Sequence, residues 1–414
     1  EDPTRTFDPC IGGNPHGDWS AWHLFQQMAS PNPGSIATDL QTSNFIIKWL
    51  KTWMVTDTVN SDTIDARPNV KPNIIDDWLI TPGGSELDPK KVPWKLIAIV
   101  NRIDLRGNSG YSLSDAGEVR FVFQLMNSCS PRRFLLIFEY GINKKKCSDL
   151  HNYATKWADL SNLPVGDPTY LSTLNGLTKE VTECGQNPSK PNENCINQVR
   201  TNENDLAPLW RLNEFHLKVT GGSLEQAPVA LNPEVFYNRH VVASGIPGAT
   251  VDPAKVKALA KFVNANEANV IAENYTVPLI HPSTNKPFLG GKSITGFNVN
   301  HFWDAGPVGS GAEIINDTAR FRFSLNTCGG CHGGESRENR VLAFTHLEIT
   351  SLAPTVVTKS VFLTGDSIND RAGRGQLWHV NDLERRKIDL ENFVSTGCSS
   401  LAGTLSMSPL KFTH

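Results

Sequence analysis

The chain has 414 residues, 39% of them hydrophobic, with 10 Trp, 6 Tyr and 19 Phe. That is enough for a substantial core, and it excludes both a disordered chain and a mini-protein held together by disulfides alone. Lys and Arg number 39 against 42 Asp and Glu, for a net charge of −3, and no long run of one sign occurs. A charge-driven grip on nucleic acid or on an anionic membrane is therefore excluded, and the longest apolar runs, at 96–100 and 134–138, are far too short to span a bilayer.

Glu1 rather than Met opens the chain, which predicts a targeting segment already removed and an exported protein. Eight cysteines scattered at 10, 129, 147, 184, 195, 328, 331 and 398 predict the same. With Cys328 and Cys331 reserved for another task, Cys184 with Cys195 across a polar loop is the pairing expected first. Cys10 with Cys398 would join the chain ends, and Cys129 with Cys147 would need the chain to fold back after an intervening strand.

Helical spacing of Trp, Leu, Ile and Phe predicts helices over 18–30 and 40–54. A polar loop follows over 57–71. Strand-like runs occupy 94–100, 118–126 and 133–141, the last two joined by a turn as a hairpin. Helices are expected over 148–160 and 170–183, and strands over 209–219 and 226–231. Asp252-Pro253 opens a predicted helix over 254–273, and a Gly- and Pro-rich loop runs over 278–311. A change of texture near 245 divides the chain into an α+β part, 1–245, with helices and a mainly antiparallel sheet, and a part with helical character, 246–414. Asn381-Asp-Leu-Glu384 reads as the capping box of a last helix.

The chemistry is concentrated in Cys328-Gly-Gly-Cys331-His332. Two thiols separated by two residues reach the two vinyl groups of one haem as thioethers, and the adjoining imidazole is delivered to the iron. The motif therefore predicts one covalent haem c on Cys328 and Cys331, with His332 as proximal ligand. Phe321, Leu325, Cys328 and His332 are spaced to share one helix face that would lie against the porphyrin. Gly329, Gly330, Gly333 and Gly334 would leave room for a flat macrocycle. For the sixth position, His346 and Met407 lead among the downstream residues. Arg320 and Arg322, with Arg337 and Arg340, are candidates to pair with haem propionates. A disulfide, or a structural metal site on Cys328, Cys331 and His346, is the alternative use of the motif. Neither a phosphate loop nor a Gly-x-Ser-x-Gly elbow nor a His-Glu-x-x-His helix is present.

The motif resembles that of the c-type cytochromes over about fifteen residues. More loosely, the chain is similar to a group of uncharacterised exported bacterial proteins with blocks like LIAIVNRIDL at 96–105, FEYG at 138–141, LNTCGGCHG at 325–333 and FLTG at 362–365. In that group a histidine comparable to His346 follows the haem motif, which implies His346 as distal ligand, and the cytochrome resemblance implies a helical, cytochrome-c-like haem-binding C-terminal part. The expected role is electron transfer at the periplasm or cell surface, with a redox partner protein or a neighbouring subunit. The alternatives are a haem peroxidase or oxygenase with an open iron, and a surface binding protein whose Cys/Cys/His cluster holds a non-haem metal or a disulfide. One haem needs about one small domain, so the remaining three hundred or so residues argue against a simple shuttle.

Overall fold

The computed structural model describes residues 2–107, 115–207, 209–296, 301–336, 345–349 and 357–397. A small hairpin, β1 (Phe7–Asp8) against β2 (Gly12–Gly13), opens the chain. α1 (Ala21–Ala29) starts where the Ser20 side chain accepts the His23 amide, and all nine of its residues are buried. α2 (Asp39–Thr52) is held by a reciprocal capping box between Thr38 and Gln41, which pairs two amides that a first turn otherwise leaves open. The predicted polar loop contains a second short hairpin, β3 (Asp57–Val59) with β4 (Asp62–Ile64), followed by the one-turn α3 (Asp76–Trp78).

The main sheet begins with β5 (Trp94–Arg102), β6 (Glu118–Asn127) and β7 (Ser130–Gly141), all three at their predicted places. Two helices, α4 (Cys147–Asp159) and α5 (Pro168–Thr182), interrupt it before β8 (Ile196–Glu203), β9 (Trp210–Leu217) and β10 (Leu224–Ala227) complete an antiparallel meander. β8 was not predicted. The reason is its sequence, INQVRTNE, in which polar residues occupy both faces of a buried strand.

The predicted helix over 254–273 is two helices, α6 (Pro253–Ala265) and α7 (Glu267–Ile271), because Asn266 leaves helical geometry at φ −111°, ψ 20°. β11 (Ser293–Thr295) then pairs with β9 as the seventh strand of the sheet. After α8 (Asp317–Leu325) come the pair β12 (Leu347–Glu348) and β13 (Thr358–Lys359), the short α9 (Val361–Thr364), and the pair β14 (Asp366–Asn369) and β15 (Leu377–Val380). α10 (Asp382–Thr396) starts on the predicted Asn381 cap, whose side chain accepts the Glu384 amide. The fold is α+β with a mainly antiparallel sheet. Among the described residues no helix is long and apolar enough to cross a membrane.

Period-two alternation gives the sheet two different faces. Val119, Phe121, Phe123 and Leu125 of β6, with Phe134, Leu136, Phe138 and Tyr140 of β7, point into the main core. There Phe25 of α1 meets Phe138 edge-on at 5.0 Å, and Trp53 stacks on Phe215 at 5.5 Å. The alternate positions point the other way, and segments from the C-terminal half cover them. α10 is tied down from both sides: Asp389 accepts two bonds from Arg106 (2.5 and 2.8 Å), and the Val394 carbonyl lies 2.9 Å from His151 Nε2.

The expected cysteine pairings do not form. Cys184 turns its thiol to Gln27 Oε1 at 3.0 Å and to the Ser35 carbonyl at 3.3 Å, while Cys195 is fully buried; both are free thiols. Cys10 and Cys129 are free as well, whereas Cys147 is disulfide-bonded. Cys398 lies outside the described residues.

Candidate functional site

The Cys-x-x-Cys-His segment follows α8 directly. That helix is capped by Asn316, which accepts the Ala319 amide, and it ends at Asn326, which bonds back to the Arg322 carbonyl. Thr327 then turns the chain: its hydroxyl donates to the Ser324 carbonyl at 2.7 Å and accepts the Gly330 amide at 3.1 Å. A single π-helical turn, Gly330–Gly334, carries Cys331 and His332. The single helix face expected for Phe321, Leu325, Cys328 and His332 is therefore broken. Cys331 packs with Phe321 and Leu325, while Cys328 packs with Trp210, Leu212 and Val229 against the sheet.

The glycines serve this tight turn. A Cβ on Gly329 would lie 2.8 Å from the His301 ring, one on Gly330 2.0 Å from the Ser324 carbonyl oxygen, and one on Gly334 1.9 Å from the His301 carbonyl oxygen. At these three positions the room is taken by the protein's own backbone and His301, not by space for a macrocycle.

Both motif cysteines are free thiols and fully buried. Burial pushes both up in pKa, Cys328 to about 12. His332 lies beside two rings, Trp210 with its centroid at 5.6 Å and His346 at 4.4 Å. His346 is held in place by Ser360 Oγ, 2.9 Å from Nδ1, and by the Phe362 ring at 5.0 Å. Its Nε2 lies 3.3 Å from Cys331 Sγ. Three of the predicted site residues, Cys331, His332 and His346, are thus brought together, with Cys328 on the sheet side. Met407, Arg337 and Arg340 lie outside the described residues.

His332 and His346 both line a cavity of about 90 Å³ against the second face of the sheet. The strand register explains what it contains. Val122 lies across from Ile137, and Leu135 across from Asn202, which itself pairs with Leu212; this makes an aliphatic floor. One step along the strands, Arg120 lies opposite Glu139, and Arg102 opposite Glu118. Arg102, Arg120, Arg200 and Arg386 all reach the cavity wall, with Glu139 the only carboxylate there among the described residues.

The arginines are held by carboxylates deeper in. Arg102 grips Asp104 in a fork at 2.9 and 3.0 Å, Arg120 meets Glu118 at 2.8 Å, Arg200 meets Glu214 at 2.7 Å, and Arg386 meets Asp382. Burial works against ionisation of these acids, but Arg102 and Arg385 hold Asp104 far below the usual carboxylate range, and Arg200 with His216 brings Glu214 to about 2. Glu118 is pushed up instead, by burial and by neighbouring Glu139 against the pull of Arg120. Arg386 falls to about 10, chiefly through burial and then through Arg102.

Arg320 and Arg322, the sequence candidates for propionate binding, are placed elsewhere. Arg320 is fully buried between Glu335 at 2.5 Å and Asp370 at 2.6 Å. Arg322 donates to the Ile271 carbonyl and faces Glu273 at 3.9 Å. The cavity arginines and Trp210 were not singled out from the sequence. A signal existed for two of the positions: Arg120 and Glu139 interrupt otherwise apolar strands on the face opposite the aromatic residues.

Among the described residues no group of three or more His, Cys, Asp or Glu side chains is arranged to hold a metal ion. The chain matches no protein-family model, no curated protein and no solved structure.

Proposed function

We propose that this chain is an exported single-haem c-type cytochrome working in electron transfer, with one haem c attached through Cys328 and Cys331 and ligated by His332 and His346. The observation that carries the reading is the approach of His332 and His346 to 4.4 Å on the wall of one cavity, beside two thiols not spent on a disulfide.

The residues present fit the group. The donor set supplies two thiols and two imidazoles, the floor is aliphatic, and Arg102, Arg120, Arg200 and Arg386, each already paired with a carboxylate of the protein, keep cationic groups at the cavity wall. The cavity of about 90 Å³ is small for a cofactor, but Val100, Leu347, Leu363 and Arg386 also line a groove of about 640 Å³ along β5. The groove alone falls in the size range of cofactor sites, and these four residues form the wall between it and the histidine cavity. When bound, a haem supplies one-electron transfer by cycling its iron between ferric and ferrous states.

The protein's own part is orientation. A proton on Nδ1 of His346 donated to Ser360 leaves the Nε2 lone pair directed toward Cys331 and the cavity. As a thioether, Cys331 has no S–H to offer that lone pair. Trp210 packs against the His332 ring and is itself fixed by its indole N–H on Asn202 at 2.7 Å. With both His332 and His346 as ligands the iron would be six-coordinate, which suits electron transfer over oxygen or peroxide chemistry.

The test is the visible spectrum of the purified protein, oxidised and then reduced with dithionite. A sharp, split band pattern on reduction is expected, and it should vanish in His332→Ala. A high-spin spectrum unchanged by His346→Ala would overturn the ligand assignment, and a colourless protein would overturn the haem itself.

A further inference from the structure

Cys10 and Cys129 stand far apart in the chain but side by side in the fold. Cys10 lies in the turn between β1 and β2, Cys129 at the tip of the β6–β7 hairpin, and both are exposed free thiols. The Asp8–Lys95 ion pair and the Met126–Pro93 backbone bond bring both turns to the start of β5, and the Cys10 thiol is pushed up to about 12 first by burial and then by neighbouring Cys129.

Both backbones are fixed by other contacts. The Cys10 amide donates to Asp8 Oδ1 at 2.8 Å, and Asp8 Oδ2 takes Lys95 of β5 at 2.6 Å. Phe7, one residue earlier, is anchored in the main core. On the other side, Asn127 pairs with Ser130, so Ser128 and Cys129 form a two-residue turn with φ of 46° and 62°, the geometry that best matches strand twist. The Met126 amide on the Pro93 carbonyl at 2.8 Å ties that hairpin end to the start of β5. Cys184 and Cys195 do not compete, the first bonded to Gln27 and the second fully buried.

We infer that Cys10 and Cys129 form a disulfide that fastens the N-terminal hairpin to the end of the sheet. Two S–H bonds break and one S–S bond forms, and the two electrons and two protons pass to a disulfide oxidant, which leaves as two thiols. The bond closes a long loop, the case in which a cross-link restricts the unfolded chain most. It also holds β1 over a hollow of about 300 Å³ that Lys95, Leu96, Ile97, Ala98 and Ile99 of β5 line.

The inference is independent of the haem. Full-length protein equilibrated with oxidised glutathione, then denatured in iodoacetamide, digested and mapped by mass spectrometry, should contain one peptide pair joined through Cys10 and Cys129 and released by dithiothreitol. Cys10→Ser and Cys129→Ser should each add one alkylatable thiol relative to wild type, and the double variant none. Alkylated Cys10 and Cys129 in the wild type, a mixed disulfide with glutathione at either, or either joined to a different cysteine, would overturn it. The wild-type map decides even if a variant fails to fold.

Discussion

The two faces of the central sheet are equally buried and chemically opposite. One is an aromatic wall of Phe121, Phe123, Phe134, Phe138 and Phe215 against Phe25, Trp49 and Trp53. The other carries Arg120, Glu139, Arg200 and Glu214 around a small aliphatic floor. Aromatic burial stabilises without further conditions. Buried charges stabilise little in net terms, since desolvation offsets their attraction, and they become a liability once a partner is lost. The second face is therefore held together by matched pairs, Arg120 with Glu118 and Arg200 with Glu214, and not by apolar burial.

Phe138→Ala should have the largest effect, about 4 kcal/mol of lost stability by urea unfolding, with the visible spectrum of whatever remains folded unchanged. Arg200→Leu should cost about 3 kcal/mol, because Glu214 is left charged and buried. Adding Glu214→Leu should recover most of that loss. If the double variant is as unstable as the single one, the loss does not come from an uncompensated Glu214.

A carboxylate with only a distant cation sharpens the contrast with the closely paired ones. Glu273 is fully buried, and neither carboxylate oxygen makes a hydrogen bond. Burial raises it to about 7 despite Arg322. Its folded pKa exceeds its unfolded one, so its contribution is intact below about pH 4.5 and is lost as pH rises through 7. Glu273→Gln should therefore stabilise by up to about 3 kcal/mol at pH 9 and by almost nothing at pH 4. Glu214 behaves oppositely: its pKa is depressed to about 2, and its contribution is lost as pH falls from about 4.5 toward that value. Thermal melts across that range distinguish the two signs. The smallest effect belongs to Ser360→Ala, about 1 kcal/mol or less, but it removes the partner of His346 Nδ1. Its readout is a broadened or shifted reduced spectrum, and an unaltered spectrum would remove Ser360 from the site.

Much of this was legible in the chain. Helices α1, α2, α4 and α5 and strands β5, β6 and β7 followed from spacing and alternation, because their large apolar residues recur at helical or two-residue intervals. β8 escaped because the polar Arg200, Thr201, Asn202 and Glu203 are buried in it, held by partners such as Glu214 and Trp210 on β9 and Arg67 far earlier in the chain. The break at Asn266 escaped because a helical apolar pattern runs on through it. For the site, Cys331, His332 and His346 were named from the sequence and do come together. Arg320 and Arg322 were named for their nearness in sequence, yet α8 turns Arg320 inward to Glu335 and Asp370 and lays Arg322 against Ile271.

By itself, then, the sequence determined most of the local elements and the Cys-x-x-Cys-His spacing of Cys328, Cys331 and His332, since both depend on intervals of a few residues. Which arginines face the two histidines, which cysteines lie side by side, and what the motif glycines are for were decided only by the tertiary structure. Those neighbours are set by strand register and by how α10 and the 301–304 segment return across the sheet. Such contacts join residues hundreds of positions apart and leave no local pattern in the chain.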